Sequence, residues 1–504
     1  MPRFAGSRSI LTGCFLLVVA SRMEAANAPA TVQSRDFVQA AATAPVGGAL
    51  RLENVQVGDT GEVAAFALER FQVFAGDAQI TLHGEGGKTT VLPAPANAYF
   101  RGRVDGEPDS KVFLTVLEGG TAQGIVTRGE DIYLIGGENT GGEDAPARAA
   151  GAPLAMRRAD TEALRTAQGA GFTCGNDGLP ENPHPLDDLL GGALPATSEA
   201  PTTAALPAYT ARVAVETDFE FYSKFSATST LTAAAVATNY IGNLLGYSST
   251  IYIGEINTSL VVQSVSLWTT ASDPWVQTST TCGLMEFGRY WNLNRTNVPR
   301  TIAHFMSGKP NGGGVAWVGV LCRAGFSATS SCPGLATDAP WGGGYGYTGN
   351  MSGLFNISNP TVMWDIMAVS HEIGHNFNSP HTHCYNGIGG SSSPIDQCYS
   401  GECANGCSCA ANSLPGPAGT RSGTIMSYCH LLSGGYGNMA LNFGTGHPYG
   451  VMPDREAVRM SSYVVSTAAG NPSCLALVAG GLGLFNDGFE GGVVPGPWSG
   501  GRTP

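Results

Sequence analysis

One short segment combines the residue types and the spacing of a catalytic metal site. Two histidines four residues apart, His371 and His375, enclose Glu372, and His381 follows six residues later. Positions four apart on a helix lie one above the other, so both imidazoles can reach the same metal ion. The carboxylate beside them is placed to act on a water molecule at that metal. Three protein ligands would leave a fourth position open, which is typical of catalytic rather than structural zinc.

The residues around these histidines predict the helix that must carry them. Asn359 is placed to cap the helix, and Pro360 suits its first position. Apolar residues recur at helical spacing across 362–377 and form one stripe, with the two histidines on roughly the opposite side. Asn378 and Pro380 favour the end of the helix and a turn that returns the third histidine to the metal. We therefore predict that one helix face packs in the core and the other faces a cleft.

A second motif points to the same kind of site. Residues 424–428 read Thr-Ile-Met-Ser-Tyr, and Met426 follows His381 by 45 residues. This segment resembles the methionine-containing turn that lies beneath the zinc of metzincin proteases. With both motifs, the sequence resembles a metzincin zinc metalloprotease, closest to the reprolysin or adamalysin branch in a bacterial secreted form. The resemblance covers roughly residues 206–478 and implies a Zn²⁺ cofactor, with the three histidines as ligands and Glu372 as general base.

The resemblance also implies a fold and a place for the substrate. The expected catalytic domain is of the α/β class, an α+β arrangement with a mixed sheet and an active-site helix. A peptide substrate would lie in extended form against an edge strand formed by Val315, Ala316, Trp317 and Val318. Residues 471–474 resemble the end of such a domain, which implies a disulfide between Cys322 and Cys474. Residues 99–110 resemble a reprolysin-type propeptide.

Two residues depart from the reprolysin pattern. The family usually has glycine where this chain has Asn378, a substitution that the backbone tolerates. Tyr428, two residues after the turn methionine, matches the astacin and serralysin pattern better. The resemblance implies that Tyr428 ligates zinc as a fifth ligand or steadies the transition state. The alternative is a tyrosine that simply packs beside the turn.

The cysteines indicate an oxidising compartment and one unpaired thiol. The chain has twelve, and removal of Cys14 with an expected signal peptide leaves eleven, an odd number. Ten lie in the second half, so we expect five disulfides, and we favour disulfides over a second metal site for Cys398, Cys403, Cys407 and Cys409. Cys174 stands alone upstream, and its Cys-Gly pair resembles the cysteine switch of related metzincins. We expect Cys174 to be a latency ligand to zinc; an idle thiol and an intermolecular disulfide are the alternatives.

Composition shifts divide the chain into five segments. Residues 1–30, with early arginines before a short apolar run, predict a secretory signal peptide. Residues 31–145 alternate apolar and polar positions and predict a small β-rich propeptide domain. Residues 146–205 predict a linker with the cysteine switch and an activation cleavage, 206–478 the zinc metalloprotease domain, and 479–504 a Gly-rich tail.

From Leu206 onward, the sequence pattern alternates strands and helices. We expect strands near 212–219, 251–256, 260–267, 301–306 and 315–321. We expect helices near 229–245, 282–291 and 453–467, besides the histidine helix.

Charge and hydropathy exclude several classes of partner. Lys and Arg total 26 against 39 Asp and Glu, a formal net charge of −13, so neither nucleic acid nor a stable membrane association is expected. No segment after the signal has about 18 consecutive apolar residues. Three other histidines are weaker candidates for ligands. His383 lies two residues past His381, and we interpret it as a bystander; His304 and His447 lack ligand spacing, and we interpret them as structural.

These patterns predict a secreted zinc endopeptidase that is made as a zymogen and acts as a monomer on protein or peptide substrates. It would hydrolyse peptide bonds with zinc-activated water and Glu372 as general base. A zinc exopeptidase would need acidic residues that grip a free amine, and none lies near the ligand helix. The alternative from another class is a secreted, non-catalytic binding or adhesion protein with a zinc-stabilised scaffold. Retention of Glu372, which no metal needs as a ligand, favours the enzyme.

Overall fold

A computed structural model describes residues 29–136, 153–160, 164, 172–176, 179 and 207–478, apart from 59, 130, 329–331, 357–358 and 404–405. The expected signal peptide, most of the linker and the Gly-rich tail lie outside the described residues. The described chain is a mixed α/β structure, as predicted from the sequence. It has two large sheets and six α-helices in its described parts.

The first sheet consists of strands from the N-terminal third of the chain. Its strands pair in the order β1-β2-β10-β9-β8-β7-β6-β3, and β3 also pairs with β2, which closes the sheet into a barrel. Closure satisfies the backbone groups that an open edge would leave unpaired. Phe37 of a short helix, α1, and Phe66 and Phe100 of the sheet are wholly buried within this first core. The elements are β1 (Ala30–Gln33), α1 (Phe37–Thr43), β2 (Ala49–Val57), β3 (Glu62–Phe71), β6 (Ala98–Val104), β7 (Lys111–Val116), β8 (Ala122–Arg128), β9 (Asp131–Ile135) and β10 (Ala155–Arg158).

The second sheet carries the strands that line the histidine helix. Its order is β11-β15-β16-β14-β12-β13-β4-β5, with β17 added beside β12. The central strands run parallel to one another, β15 runs antiparallel to β16, and β11 pairs in parallel with β15. Its strands are β4 (Phe74–His83), β5 (Thr89–Pro93), β11 (Thr173–Cys174), β12 (Tyr209–Thr217), β13 (Thr258–Trp268), β14 (Ile302–Met306), β15 (Gly313–Ala316), β16 (Tyr345–Thr348) and β17 (Ala476–Leu477).

The hairpin β4–β5 comes from the N-terminal third but belongs to the second sheet. Strand β4 pairs in parallel with β13, the strand that would otherwise form the edge of the sheet. The boundary predicted at residue 145 therefore separates segments that share a sheet. The interpretation of residues 31–145 as a propeptide domain stays a prediction.

Five helices lie between residues 219 and 470: α2 (Phe219–Tyr222), α3 (Ala233–Ile256), α4 (Thr280–Asn294), α5 (Val362–Asn376) and α6 (Arg455–Gly470). Helix α3 lies between the first sheet and α5, and most of its residues are buried. It begins where the Thr232 side chain accepts a hydrogen bond from the backbone N–H of Ala235, and it ends at Asn257 in the left-handed conformation. None of the helices in the described parts is long and apolar enough to cross a membrane.

Three of the expected elements differ in the structure. The strand predicted at 251–256 is wrong, because these residues form the last turns of α3; their Ile and Tyr side chains pack in a helix that is buried on nearly all sides. The strand predicted at 315–321 ends at Ala316, since the N–H groups of Gly319 and Val320 bond to the carbonyls at the end of α5 instead. Helix α5 begins at Val362 rather than Pro360, and no side chain caps it.

The disulfide predictions are confirmed. Cys322 pairs with Cys474, and the four cysteines considered for a second metal site are all in disulfides. Cys174 is the free cysteine of the described chain, and it is buried. The bridges are Cys282–Cys332, Cys322–Cys474, Cys384–Cys407, Cys398–Cys429 and Cys403–Cys409.

Candidate active site

Helix α5 and the turn after it bring the three predicted histidines together. The Nε2 atom of His375 lies 3.2 Å from Nε2 of His371 and 3.2 Å from Nε2 of His381. Asn378 makes the turn between them with a φ of 76°, the left-handed conformation predicted for it. All three imidazoles are buried, so the cluster is shielded from bulk water.

In each of the three rings, a hydrogen bond from Nδ1 fixes the orientation, so that Nε2 faces the cluster. His371 Nδ1 donates to the carbonyl of Ile425 at 2.8 Å, and His375 Nδ1 donates to the carbonyl of Ser379 at 2.7 Å. His381 Nδ1 donates to the carboxylate of Glu402 at 2.8 Å. With a proton on every Nδ1, the neutral rings present three Nε2 lone pairs to one another.

This donor set fits a metal cation. Three lone pairs at 3.2 Å repel unless a positive charge lies among them, and imidazole nitrogen suits zinc. Burial lowers the pKa of His371 and of His375 well below the ordinary value, and the neighbouring imidazoles lower it further. Both rings therefore stay in the neutral form that metal binding needs.

Glu402, which the sequence analysis missed, joins two of the histidines. Its Oε2 accepts hydrogen bonds from His381 Nδ1 at 2.8 Å and from His383 Nε2 at 2.9 Å. Burial favours the neutral acid, but the hydrogen bonds from both histidines outweigh this effect and lower the pKa of Glu402. A carboxylate on the outer nitrogen of a metal-binding histidine fixes the ring and strengthens it as a ligand. His383 thus contacts the carboxylate, and its ring stacks on that of His381 with centroids 5.3 Å apart. These residues and Cys384 form a second group whose ligand atoms lie within 4.8 Å of one another, so the interpretation of His383 as a bystander stays a prediction.

No motif in the sequence could have revealed Glu402. It follows His381 by 21 residues, in a segment that two disulfides, Cys384–Cys407 and Cys403–Cys409, hold beside the site. Contacts that depend on how a cross-linked loop folds back have no sequence spacing of their own.

Glu372 lies inside the cleft, against the strand β15. It is wholly buried, and burial raises its pKa well above the ordinary value. A Cβ atom at Gly314 would lie 2.2 Å from its Oε1, so only glycine lets the strand pass this close. None of the three hydrogen bonds from the histidine Nδ1 atoms uses this carboxylate.

The predicted methionine turn packs against the histidine helix. The sulfur of Met426 would be 2.5 Å from a Cβ atom at Gly374, and the carbonyl of Ile425 orients His371. The hydroxyl of Tyr428 accepts a hydrogen bond from the N–H of Cys174 at 2.9 Å and donates to its carbonyl at 3.0 Å. Tyr428 is therefore engaged with the backbone of Cys174 in this structure.

Cys174 occupies the cleft opposite the histidines. Its Sγ lies 3.4 Å from His375 Nε2 and 3.5 Å from Glu372 Oε2. The thiol and the three imidazoles bring their ligand atoms within 4.8 Å of one another, a group that could hold a metal ion. Burial raises the pKa of the thiol, and the Glu372 carboxylate raises it further.

The segment around Cys174 covers the edge strand predicted to hold substrate. Strand β11 pairs with β15, so Thr173 and Cys174 lie opposite Gly313 and Gly314. The N–H of Ala316 donates to the side-chain oxygen of Asn176 at 3.0 Å. Of the four residues predicted for this strand, Val315 and Ala316 are in β15, while Trp317 and Val318 follow its end.

Two further histidines, His304 and His447, form hydrogen bonds outside the three-histidine cluster. His304 is wholly buried in β14, with Nε2 2.9 Å from the hydroxyl of Thr348. His447 Nε2 donates to the carbonyl of Ser422 at 3.2 Å. Neither joins a metal-binding group among the described residues.

Comparison with known proteins identifies the segment that contains the site. Residues 208–432 match the family model Reprolysin_5, described as metallo-peptidase family M12. No curated protein matches the chain. The crystal structure of metalloproteinase-II from Bacteroides fragilis resembles 71% of this chain and 90% of its own, at 11% sequence identity and a TM-score of 0.36. That likeness is too distant to bear on the fold or the function.

Proposed function

On the premise that residues 208–432 carry the metallopeptidase domain of family M12, we propose that the protein is a zinc-dependent endopeptidase, secreted and made as a zymogen. The observation that carries the proposal is the meeting of three oriented Nε2 atoms beside the buried Glu372 carboxylate. His371, His375 and His381 would hold the zinc. The zinc would supply a Lewis acid that activates water and polarises the carbonyl oxygen of the peptide bond.

The protein's own groups supply substrate alignment and proton transfer. An extended peptide that replaces the Cys174 segment would bond to the main chain of β15, as β11 does here. Glu372 would take a proton from the attacking water and deliver it to the leaving amine nitrogen. Tyr428, once freed from Cys174, would be near enough to His381 to contact the reacting carbonyl; their ring centroids are 4.6 Å apart.

Latency is proposed to depend on Cys174. A thiolate is a better zinc ligand than water, so Cys174 would occupy the position that the nucleophilic water needs. The raised pKa of the thiol applies to the metal-free arrangement, and a zinc ion would favour the thiolate. The hydrogen bonds of Tyr428 hold the Cys174 backbone in place and support the same role.

Secretion is proposed from two independent features. Five disulfides are formed among the described residues, a number that belongs to an oxidising compartment. The N-terminal sequence has the charge and apolar pattern of a signal peptide.

Casein digestion tests the proposal. Purified protein should digest casein after processing, lose activity in a zinc chelator and regain it when zinc is returned. N-terminal sequencing of the active species should find a peptidase segment that starts beyond Cys174. Digestion that survives complete removal of metal would contradict the proposal.

A further inference from the structure

The N-terminal third of the chain is built into the peptidase core. We call residues 30–135 the N-terminal unit and residues 207–478 the peptidase unit. Phe74, Tyr99 and Phe113 of the N-terminal unit belong to the same buried cluster as Leu244 and Tyr247 of α3. A propeptide that merely covered a cleft would not need to share a core with the enzyme.

Two glycines of α3, Gly242 and Gly246, leave the space that these aromatic rings occupy. A Cβ atom at Gly242 would lie 2.7 Å from the hydroxyl of Tyr99 and 2.8 Å from the ring of Phe74. At Gly246 it would lie 2.5 Å from the ring of Phe113. Glycine costs helix stability, so its presence here reflects the close approach of the N-terminal unit.

Buried polar groups of α3 also depend on the N-terminal unit. Asn97 Nδ2 donates to the side-chain oxygen of Asn239 at 2.8 Å, and Asn243 Nδ2 donates to the side-chain oxygen of Gln123 at 2.9 Å. All four side chains are buried. If the N-terminal unit were lost, the peptidase unit would expose an apolar face of α3. The side-chain amides of Asn239 and Asn243 would also lose their hydrogen-bond partners.

The hairpin β4–β5 makes a second connection at the far edge of the peptidase sheet. Strand β4 continues the sheet along β13, from Ser264 opposite Gln79 to Trp268 opposite His83. The His83 ring stacks on Trp268 with centroids 4.3 Å apart. Without the hairpin, β13 would be a long open edge, which proteins generally cover.

We propose that the N-terminal unit stays bound to the peptidase unit after the chain between them is cut, so that the mature enzyme is a complex of two segments. This inference rests on the proposed function, since it concerns the form in which the zymogen becomes active. The surface of α3 and the edge of β13 form the interface, and the partner is the chain's own N-terminal unit. Activation then requires only that residues 172–176 leave the cleft.

To test the proposal, the full-length chain is cut at one position between the two units. A site for a sequence-specific protease is inserted between Gly191 and Gly192, in a Glu372→Ala background that prevents self-digestion. The cut protein is passed over a size-exclusion column without denaturant, after 172–176 have been displaced from the cleft by a hydroxamate peptide. The two fragments should elute together and separate only in denaturant. Separate elution in native buffer would overturn the proposal.

Matched variants locate the interface. Gly242→Leu should cause loss of co-elution after cutting, because the new side chain collides with Tyr99 and Phe74. Gly254→Leu is the control: it makes the same change in the same helix, at an exposed position with no atom within 4 Å of the added Cβ. Retention of the N-terminal fragment by the cut Gly242→Leu protein would contradict the proposal that Tyr99 and Phe74 pack on Gly242 at the interface. If that variant does not accumulate, the result for the chain with wild-type Gly242 decides.

Casein hydrolysis by a protein with Glu372 intact separates this inference from the proposed function. This protein carries a second inserted protease site, between Gly169 and Ala170, so that cutting at both sites frees the segment with 172–176 and no inhibitor is added. Separate elution together with hydrolysis would overturn the inference and leave the peptidase. Co-elution without any hydrolysis, in zinc and after both cuts, would support the interface and count against the peptidase.

Discussion

The sulfur of Cys174 lies 3.4 Å from Nε2 of His375 and thereby contacts the histidine cluster. It is also 3.5 Å from the Glu372 carboxylate. One side chain thus contacts both the proposed metal site and the proposed base. This relationship would link the proposed latency of the chain to its proposed chemistry.

Replacement of the base should separate catalysis from metal binding. Glu372→Ala should leave zinc stoichiometry near that of the wild type, because the proposed zinc ligands are the three histidines and not this carboxylate. Hydrolysis should fall by at least about 10²- to 10⁴-fold, the usual contribution of general acid–base catalysis. Metal analysis and casein assays on the same preparation check both parts. Unchanged activity would remove Glu372 from the mechanism.

The two neighbouring histidines 381 and 383 should differ in their effect on zinc. His381→Ala should lower zinc occupancy far more than His383→Ala, because only the first side chain presents Nε2 to the cluster. Equilibrium dialysis against buffered zinc measures the difference. If the His383 variant loses the metal and the His381 variant keeps it, the assigned ligand set is wrong.

Glu402 should increase zinc affinity although it is not one of the proposed zinc ligands. Glu402→Ala removes the acceptor of the His381 Nδ1 proton, so zinc affinity should fall about 10- to 100-fold. Competition with a chromophoric chelator measures this affinity. Glu85→Ala, at an exposed position in the N-terminal third, is the control and should bind zinc normally. Equal affinities of the two variants would show that Glu402 does not support the ligand.

Removal of the Cys174 thiol should abolish latency. Cys174→Ser should give a precursor that cleaves peptide before processing, or that destroys itself during expression, because a hydroxyl is a poor competitor for zinc. The comparison uses zinc-loaded precursors and a short peptide substrate. A Ser variant as latent as the wild type would mean that blockage by the N-terminal segment explains inhibition instead.

His304 should make the metal-free protein less stable in acid. Burial lowers its pKa to about 3, whereas an unfolded histidine titrates near 6.5. Between these values only the unfolded state binds the proton, so the free energy of unfolding falls as the pH falls, by about 1.4 kcal/mol per pH unit for this group. His304→Asn should reduce the slope between pH 6 and 4 by about one proton. Urea unfolding in a chelator measures the slope; an unchanged slope would contradict this assignment.

Much of the site could be predicted because its spacing is local. His371 and His375 are one helical turn apart, and Asn378 and Pro380 mark the turn that returns His381. Cys174 could be singled out because the cysteine count is odd and the other cysteines cluster. Such features need no knowledge of tertiary structure.

Other features depend on tertiary packing and have no local signal. Residues 251–256 have the β-branched composition of a strand, but burial on nearly all sides makes them helical. The alternation in β4 predicts a strand without saying which sheet it joins. Glu402 reaches His381 only because disulfides fold its segment back over the site.

The central proposal is one zinc site shared by His371, His375, His381 and, in the precursor, Cys174. Zinc X-ray absorption on the purified precursor tests this most directly. We predict three nitrogen ligands and one sulfur at about 2.3 Å, with the sulfur lost in Cys174→Ser while the nitrogens remain. A precursor whose zinc has no sulfur ligand, or whose sulfur survives that substitution, would contradict it.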